Sequence, residues 1–318
     1  MSGFWPKASP APDANTIIRT CGNRLVSFNF YGLVDGVPYE SSVAPATRQQ
    51  FMTLFDSELV KIEKWFFANR WLTSKIGARP ALGTYAPQQV FELDDVDIEV
   101  AVSPDFAIER SLVPASVGRR GAMEFPNSRV AANQAAITHE LSHVYFPNGN
   151  RLLAEGFGVY IQNKIGANGA FPDFGTELHD CAREFACQLD PNQNNPNPNV
   201  GLAKISIAAL DKVQTPAPLE LLADPNQDMD PAEAAYRVAG SFVKFLIERG
   251  KNAPACFQAL FFATPLKPLR RDAGLMARWK PLYGESLANL EKEWKALIAA
   301  LGGTASKKPV AKRKKLPR

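Results

Sequence analysis

The stretch THELSHVYFPNGNRLLAEGFGVY, Thr138–Tyr160, contains two of the three histidines in a chain of 318 residues. They stand four apart, as His139-Glu140-Leu141-Ser142-His143, inside a run of helical periodicity. Residues at that spacing on an α-helix differ by about 40° around the axis and about 6 Å along it. Both imidazoles therefore leave one face, the arrangement that lets two ring nitrogens grip one zinc ion at about 2.0–2.1 Å each. Glu140 follows His139 directly, so it sits beside such an ion rather than on it, where a carboxylate can take a proton from water. Chance placement of three histidines yields this spacing about 0.03 times, and Glu at the second place lowers that roughly twentyfold. That weighs against the plain alternative, two core histidines hydrogen-bonded within a helix pair.

A catalytic zinc takes three protein ligands and leaves one position for water. Glu155 suits the third place. The turn Pro147-Asn148-Gly149-Asn150 separates a helix of about Ala131–Tyr145 from one of about Arg151–Lys164, and His143 and Glu155 lie at nearly equal arms from it. Folding the two antiparallel brings those side chains level. Gly156 and Gly158 would let the helices approach closely, although a mid-helix glycine costs about 1 kcal/mol relative to Ala. A surface Glu on an amphipathic helix is the alternative, but Leu152, Leu153, Ala154 and Phe157 flank Glu155, and an acid in apolar surroundings needs a partner.

Outward from this stretch, the chain alternates strand and helix signals in an order that predicts an α+β fold. Residues 1–15 are rich in Pro, Ala and Ser and read as a disordered lead-in. Arg24–Val34 reads as a strand ended by an Asp35-Gly36 turn, and Thr47–Thr73 as a long amphipathic helix. Val96–Ser103 is a half-buried strand, and Gly121–Pro126 a second, short one, expected at the edge of the sheet. The expected division is an α+β part over 16–190 that carries the zinc site, a Pro- and Asn-rich linker over 191–200, and a helical part over 201–302. Its strongest helices are Ala232–Arg249 and Leu287–Leu301.

Hydrophobic content of 46% and charged content of 21% describe an ordinary globular chain. The net charge of +4 is carried by a basic tail within 303–318, whose last twelve residues hold seven Lys and Arg and no acid. The body is then −3, so no nucleic-acid binding is expected of it, while the tail reads as a solvated disordered end that could contact a polyanion. No apolar run is long enough to cross a bilayer, and no apolar segment follows Met1, so a cytoplasmic protein is expected unless a leader has been removed. Cys21, Cys181, Cys187 and Cys256 form no CxxC pair and read as free thiols.

The pair HELSHVYF and RLLAEGFGVY resembles the zinc helices of the gluzincin metallopeptidases, in particular the peptidase-MA-like group with its HELTH and WLxEGLAxY patterns. Tyr236–Gly250 and Tyr283–Leu297 are similar to the C-terminal helices of that group, so the likeness spans about 131–301. It implies a zincin-like small mixed sheet, one zinc ion per chain on His139, His143 and Glu155, and hydrolysis of a peptide or protein substrate with Glu140 as general base. It also implies Tyr236 as the donor to the oxyanion, with a partly buried packing Tyr as the alternative and His179 as a weaker rival. GAME, Gly121–Glu124, looks like the start of an aminopeptidase GAMEN motif, but Phe125 replaces the Asn, so Glu124 reads as structural before it reads as an amine ligand. Two other classes stay open: a zinc-stabilised binding protein without catalysis, its fourth position closed by Cys181, Cys187 or His179, and an interaction module working through the tail.

Overall fold

The computed structural model describes residues 16–22, 24–34, 37–40, 43–72, 98–104, 106–112, 121–167, 169–173, 175–221, 230–264 and 278–301. Expectations for residues 1–15, the Asp35-Gly36 turn and the basic tail fall outside them.

Strand β1 (Thr16–Cys21) runs antiparallel to β2 (Arg24–Val34), and β3 (Val37–Glu40) pairs with the far end of β2. Val26, Phe28 and Phe30 alternate inward along β2, as a period of two requires. Strand β4 (Ile98–Ser103) lies parallel to β2. Next come β5 (Arg110–Leu112) and β6 (Gly121–Pro126), with β6 parallel to β4 and antiparallel to β5. The resulting order, β1-β2-β4-β6-β5, makes a mixed sheet. It also corrects one expectation: Gly121–Pro126 is interior, and β5 takes the edge. Three residues, Arg-Ser-Leu, are too few to show alternation, so the edge strand left no periodic trace.

Helix α1 (Pro45–Ala68) covers one sheet face with Phe51, Phe55, Leu59, Ile62 and Phe66, all at helical spacing and buried. Phe55 meets Phe28 edge-on at 5.2 Å, and Phe51 meets Phe125 at 5.5 Å. The helix stops at Ala68, short of the expected Thr73, and two residues on Arg70 adopts a φ of 60°, outside helical geometry. The single helix expected over Ala131–Tyr145 is two pieces, α2 (Asn127–Ala131) and α3 (Ile137–Tyr145). Between them Asn133 adopts φ 55°, a left-handed conformation that Asn tolerates better than most residues.

Helix α4 (Arg151–Ile165) follows, then α5 (Leu178–Gln188), α6 (Pro198–Lys204), α7 (Ile207–Leu210), α8 (Pro231–Glu248), α9 (Ala253–Phe262) and α10 (Leu287–Ala300), with one π-helical turn at Trp279–Tyr283. The Pro- and Asn-rich stretch is a tight loop. Asp190 accepts the N–H groups of Asn192 and Asn197, Asn197 caps α6, and Pro198 occupies its first turn. Apolar residues before and after the loop belong to one buried cluster. None of the described helices is long and apolar enough to cross a membrane.

Helix α4 is the structural hub. A Cβ at Gly156 would stand 2.6 Å from the Ala239 carbonyl oxygen, and one at Gly240 would stand 2.4 Å from Val159, so α4 and α8 touch backbone to backbone. On another side of α4, Phe157 stacks on Trp71 at 4.4 Å and meets Phe261 at 5.2 Å. Truncating such a buried aromatic costs about 3–5 kcal/mol, enough to loosen the helix that carries Glu155.

Candidate metal centre

Helix α3 begins at Ala136, which offers no side-chain cap. The donors are satisfied from α4 instead: Gln162 Oε1 accepts the backbone N–H of Thr138 at 3.1 Å, that of His139 at 3.3 Å, and the Thr138 hydroxyl. One side chain thus ties the first turn of the histidine helix to the glutamate helix. At the other end of α3, the Tyr145 hydroxyl donates to Glu63 of α1, which also accepts from Arg24 of β2 at 2.9 Å. Both ends of α3 are pinned.

The turn into α4 is held by residues far along the chain. Asn150 caps the helix through the Leu153 N–H and donates to the Asp211 carbonyl at 2.7 Å. Asn148 donates to the Phe261 carbonyl at 2.6 Å, and the Arg151 N–H to that of Val213 at 3.0 Å. Asp211 in turn accepts from Arg278 at 2.6 Å and from the Trp279 indole at 3.0 Å. Burial pushes the Asp211 carboxyl upward, opposed by Arg278 and these hydrogen bonds.

With the helices placed, His139 Nε2 lies 3.0 Å from His143 Nε2 and 3.0 Å from Glu155 Oε2, and His143 Nε2 lies 3.4 Å from the same oxygen. Among the described residues these three form the only group of His, Cys, Asp and Glu side chains with the spacing to hold a metal ion. Ligands about 2.0–2.1 Å from one tetrahedral ion stand about 3.3–3.4 Å apart, close to this triangle. Two ring nitrogens directed at each other also need a proton or a cation between their lone pairs. The donor set fits a divalent ion such as zinc.

The His139 ring is placed by packing rather than by a second hydrogen bond, since its buried Nδ1 has no partner among the described residues. A Cβ at Gly158 would stand 2.8 Å from Nδ1 and Cε1, so only glycine leaves room for the ring. The Tyr236 ring lies nearly parallel to it, with centroids 6.0 Å apart and 14° between planes.

Glu140 and Glu155 are both buried, yet their environments differ in sign. Burial pushes the Glu140 carboxyl up to about 7, with His139 and a hydrogen bond from Ser111 opposing the rise. Burial would raise Glu155 too, but His143, His139 and Arg151 outweigh it and hold its carboxyl well below the usual range. The Arg151 guanidinium donates to Glu155 Oε1 at 2.7 Å, which leaves Oε2 for the histidines. Burial, and after it the Glu155 charge, keep the Tyr236 phenol protonated well above its ordinary value. The group opens into a cleft of about 990 Å³, lined by Ile108, Glu109, Arg110, Ser111, Arg129 and Tyr236 among others.

His139, Glu140, His143, Glu155 and Tyr236 are thus together. Glu124 does not itself line the cleft; it is buried and ion-paired with Arg110, which does, across the β5–β6 pair. His179 bonds Ser241 at 2.8 Å, and Cys21, Cys181, Cys187 and Cys256 are free thiols, of which Cys21 and Cys181 are buried. Sequence reasoning missed Ser111, Arg151 and Gln162. Of these, only Arg151 left a signal, the i,i+4 spacing to Glu155. No protein-family model matches the chain, and neither a curated protein nor a solved structure matches it significantly.

Proposed function

We propose that this chain is a zinc-dependent peptidase with a gluzincin-type site on a zincin-like scaffold. The observation that carries the reading is the convergence of His139 Nε2, His143 Nε2 and Glu155 Oε2 at 3.0–3.4 Å, with Glu140 beside them and a cleft in front. No fourth His, Cys, Asp or Glu joins this group among the described residues, which favours an open site over a closed structural clamp.

When bound, one zinc ion would supply Lewis acidity, polarising the scissile carbonyl and acidifying water. The residues of the chain do the rest. Glu140 accepts the proton that leaves the attacking water and returns it to the departing amine as the C–N bond breaks. Tyr236 keeps its phenolic proton and can donate it in a hydrogen bond to the carbonyl oxygen as charge develops there. Arg151 holds Glu155 in one orientation. An extended peptide would pair along β5, the edge strand among the described residues and beside the cleft.

The test is metal analysis joined to a peptide-library digest. Purified protein should carry about one zinc per chain and lose cleavage reversibly to a chelator. The variant Glu140→Gln should keep the zinc and lose cleavage by a factor of about 10² or more. Equal cleavage by wild type and Glu140→Gln would overturn the assignment.

A further inference from the structure

Strand β5 meets Glu140 through Ser111. The Ser111 hydroxyl stands 2.6 Å from Glu140 Oε2 and 2.9 Å from the Glu140 main-chain carbonyl oxygen. The shorter contact lies in the range of charge-assisted O–H···O⁻ bonds. A serine hydroxyl carries one proton and two lone pairs, so it cannot donate to both acceptors at once. It can change roles. With Glu140 ionised, Ser111 donates to the carboxylate. With Glu140 protonated, the carboxylic O–H can donate to the Ser111 oxygen, while the serine proton turns to the main-chain carbonyl. Either way each hydrogen of the pair has an acceptor, and the carboxyl group need not move.

We infer that Ser111 is the positioning residue for Glu140, its hydroxyl holding the base in one place through the contacts with Oε2 and with the main-chain carbonyl oxygen. The inference rests on the reading of Glu140 as general base. It adds a role for the edge strand, since the strand expected to receive substrate also supplies the group that steadies the base. Its energetic basis is orientation: small misplacement of a reacting group costs up to roughly a hundredfold in rate.

The experiment compares wild type, Ser111→Ala and Ser111→Thr, each loaded with zinc, on a peptide found in the library digest. Ser111→Ala should lower kcat roughly tenfold to a hundredfold while KM, zinc content and melting temperature stay within error. Ser111→Thr keeps the hydroxyl on a residue suited to a strand and should recover most of the loss. In the background of Glu140→Gln, Ser111→Ala should cause no further loss, because the two act as a unit. A readout free of turnover uses the metal-free protein: the ¹³C carboxyl resonance of Glu140, assigned by its disappearance in Glu140→Gln, should shift in Ser111→Ala and return in Ser111→Thr. Wild-type kcat in Ser111→Ala, or an unmoved carboxyl resonance, would overturn the inference while leaving the peptidase reading intact. A wild-type chain with zinc and no hydrolysis would overturn the peptidase reading itself, and a carboxyl shift in that case would mark the contact as structural alone.

Discussion

Gly158 of α4 lies directly against the imidazole of His139 on α3, so near that a methyl group in place of its hydrogen would stand 2.8 Å from the ring. Helix propensity and the placement of the His139 ring oppose each other at this position. Alanine is favoured over glycine in a helix by about 1 kcal/mol, yet it would displace an imidazole whose buried Nδ1 has no hydrogen-bond partner among the described residues. Gly158→Ala is expected to weaken zinc binding by at least tenfold in a competition titration with a chromophoric chelator. Metal-free stability should fall by less than about 2 kcal/mol, the propensity gain offsetting part of the strain.

Glu140→Gln separates stability from function. The folded carboxyl is raised from 4.5 to about 7 by burial, so ionising it destabilises the fold. In metal-free wild type this penalty is absent below about 4.5, grows as the pH rises to about 7, and is constant above. Urea denaturation should find Glu140→Gln at least as stable as wild type at pH 8, with the gap closing at pH 4.5. A variant less stable at pH 8 than at pH 4.5, relative to wild type, would refute the environment assigned to this carboxyl.

His179 gives the opposite slope. Ser241 receives the Trp294 indole N–H at 3.0 Å, which leaves its own proton free to point at His179 Nδ1. Protonating that nitrogen breaks the arrangement, and burial lowers the imidazole pKa below 6.5. A histidine with a lowered folded pKa stabilises the fold above the unfolded value and loses that contribution as pH falls through 6.5 towards the folded pKa. His179→Asn should therefore show a shallower loss of stability between pH 7.5 and 5.5 than wild type, with unchanged zinc content.

Asp211 is the buried anchor beneath the turn that joins α3 and α4. Removing its carboxylate takes a partner from the buried Arg278 and another from Trp279, and breaking such a pair costs about 3–5 kcal/mol. Asp211→Ala should show that loss in urea titration. Its zinc affinity should fall as well, since Asn150 and Arg151 lose part of their support.

The helical spacing of His139, His143 and Glu155 was legible because each helix carries its own period, and the four-residue turn between them left few ways to fold. Tyr236 came into view only through resemblance, yet it stacks on His139. What stayed hidden is what depends on pairing across distance. Ser111 meets Glu140 only because β5 finds β6, and three residues hold too little pattern to announce that. Gln162 looks like an ordinary polar residue near a helix end, and its use as a cap for another helix is a tertiary fact. Gly121–Pro126 was recognisable as a strand but not as an interior one, because order within a sheet is set by partners and not by the strand itself.

The support of α4 by Ala239, Phe261, Trp279 and Asp211 also bears on how the protein is made. During synthesis His139 and Glu155 leave the ribosome well before the residues that press their helices together. A nascent chain stalled at Glu220 should retain no zinc, because the proposed metal centre would form only once the residues through Trp279 have been made.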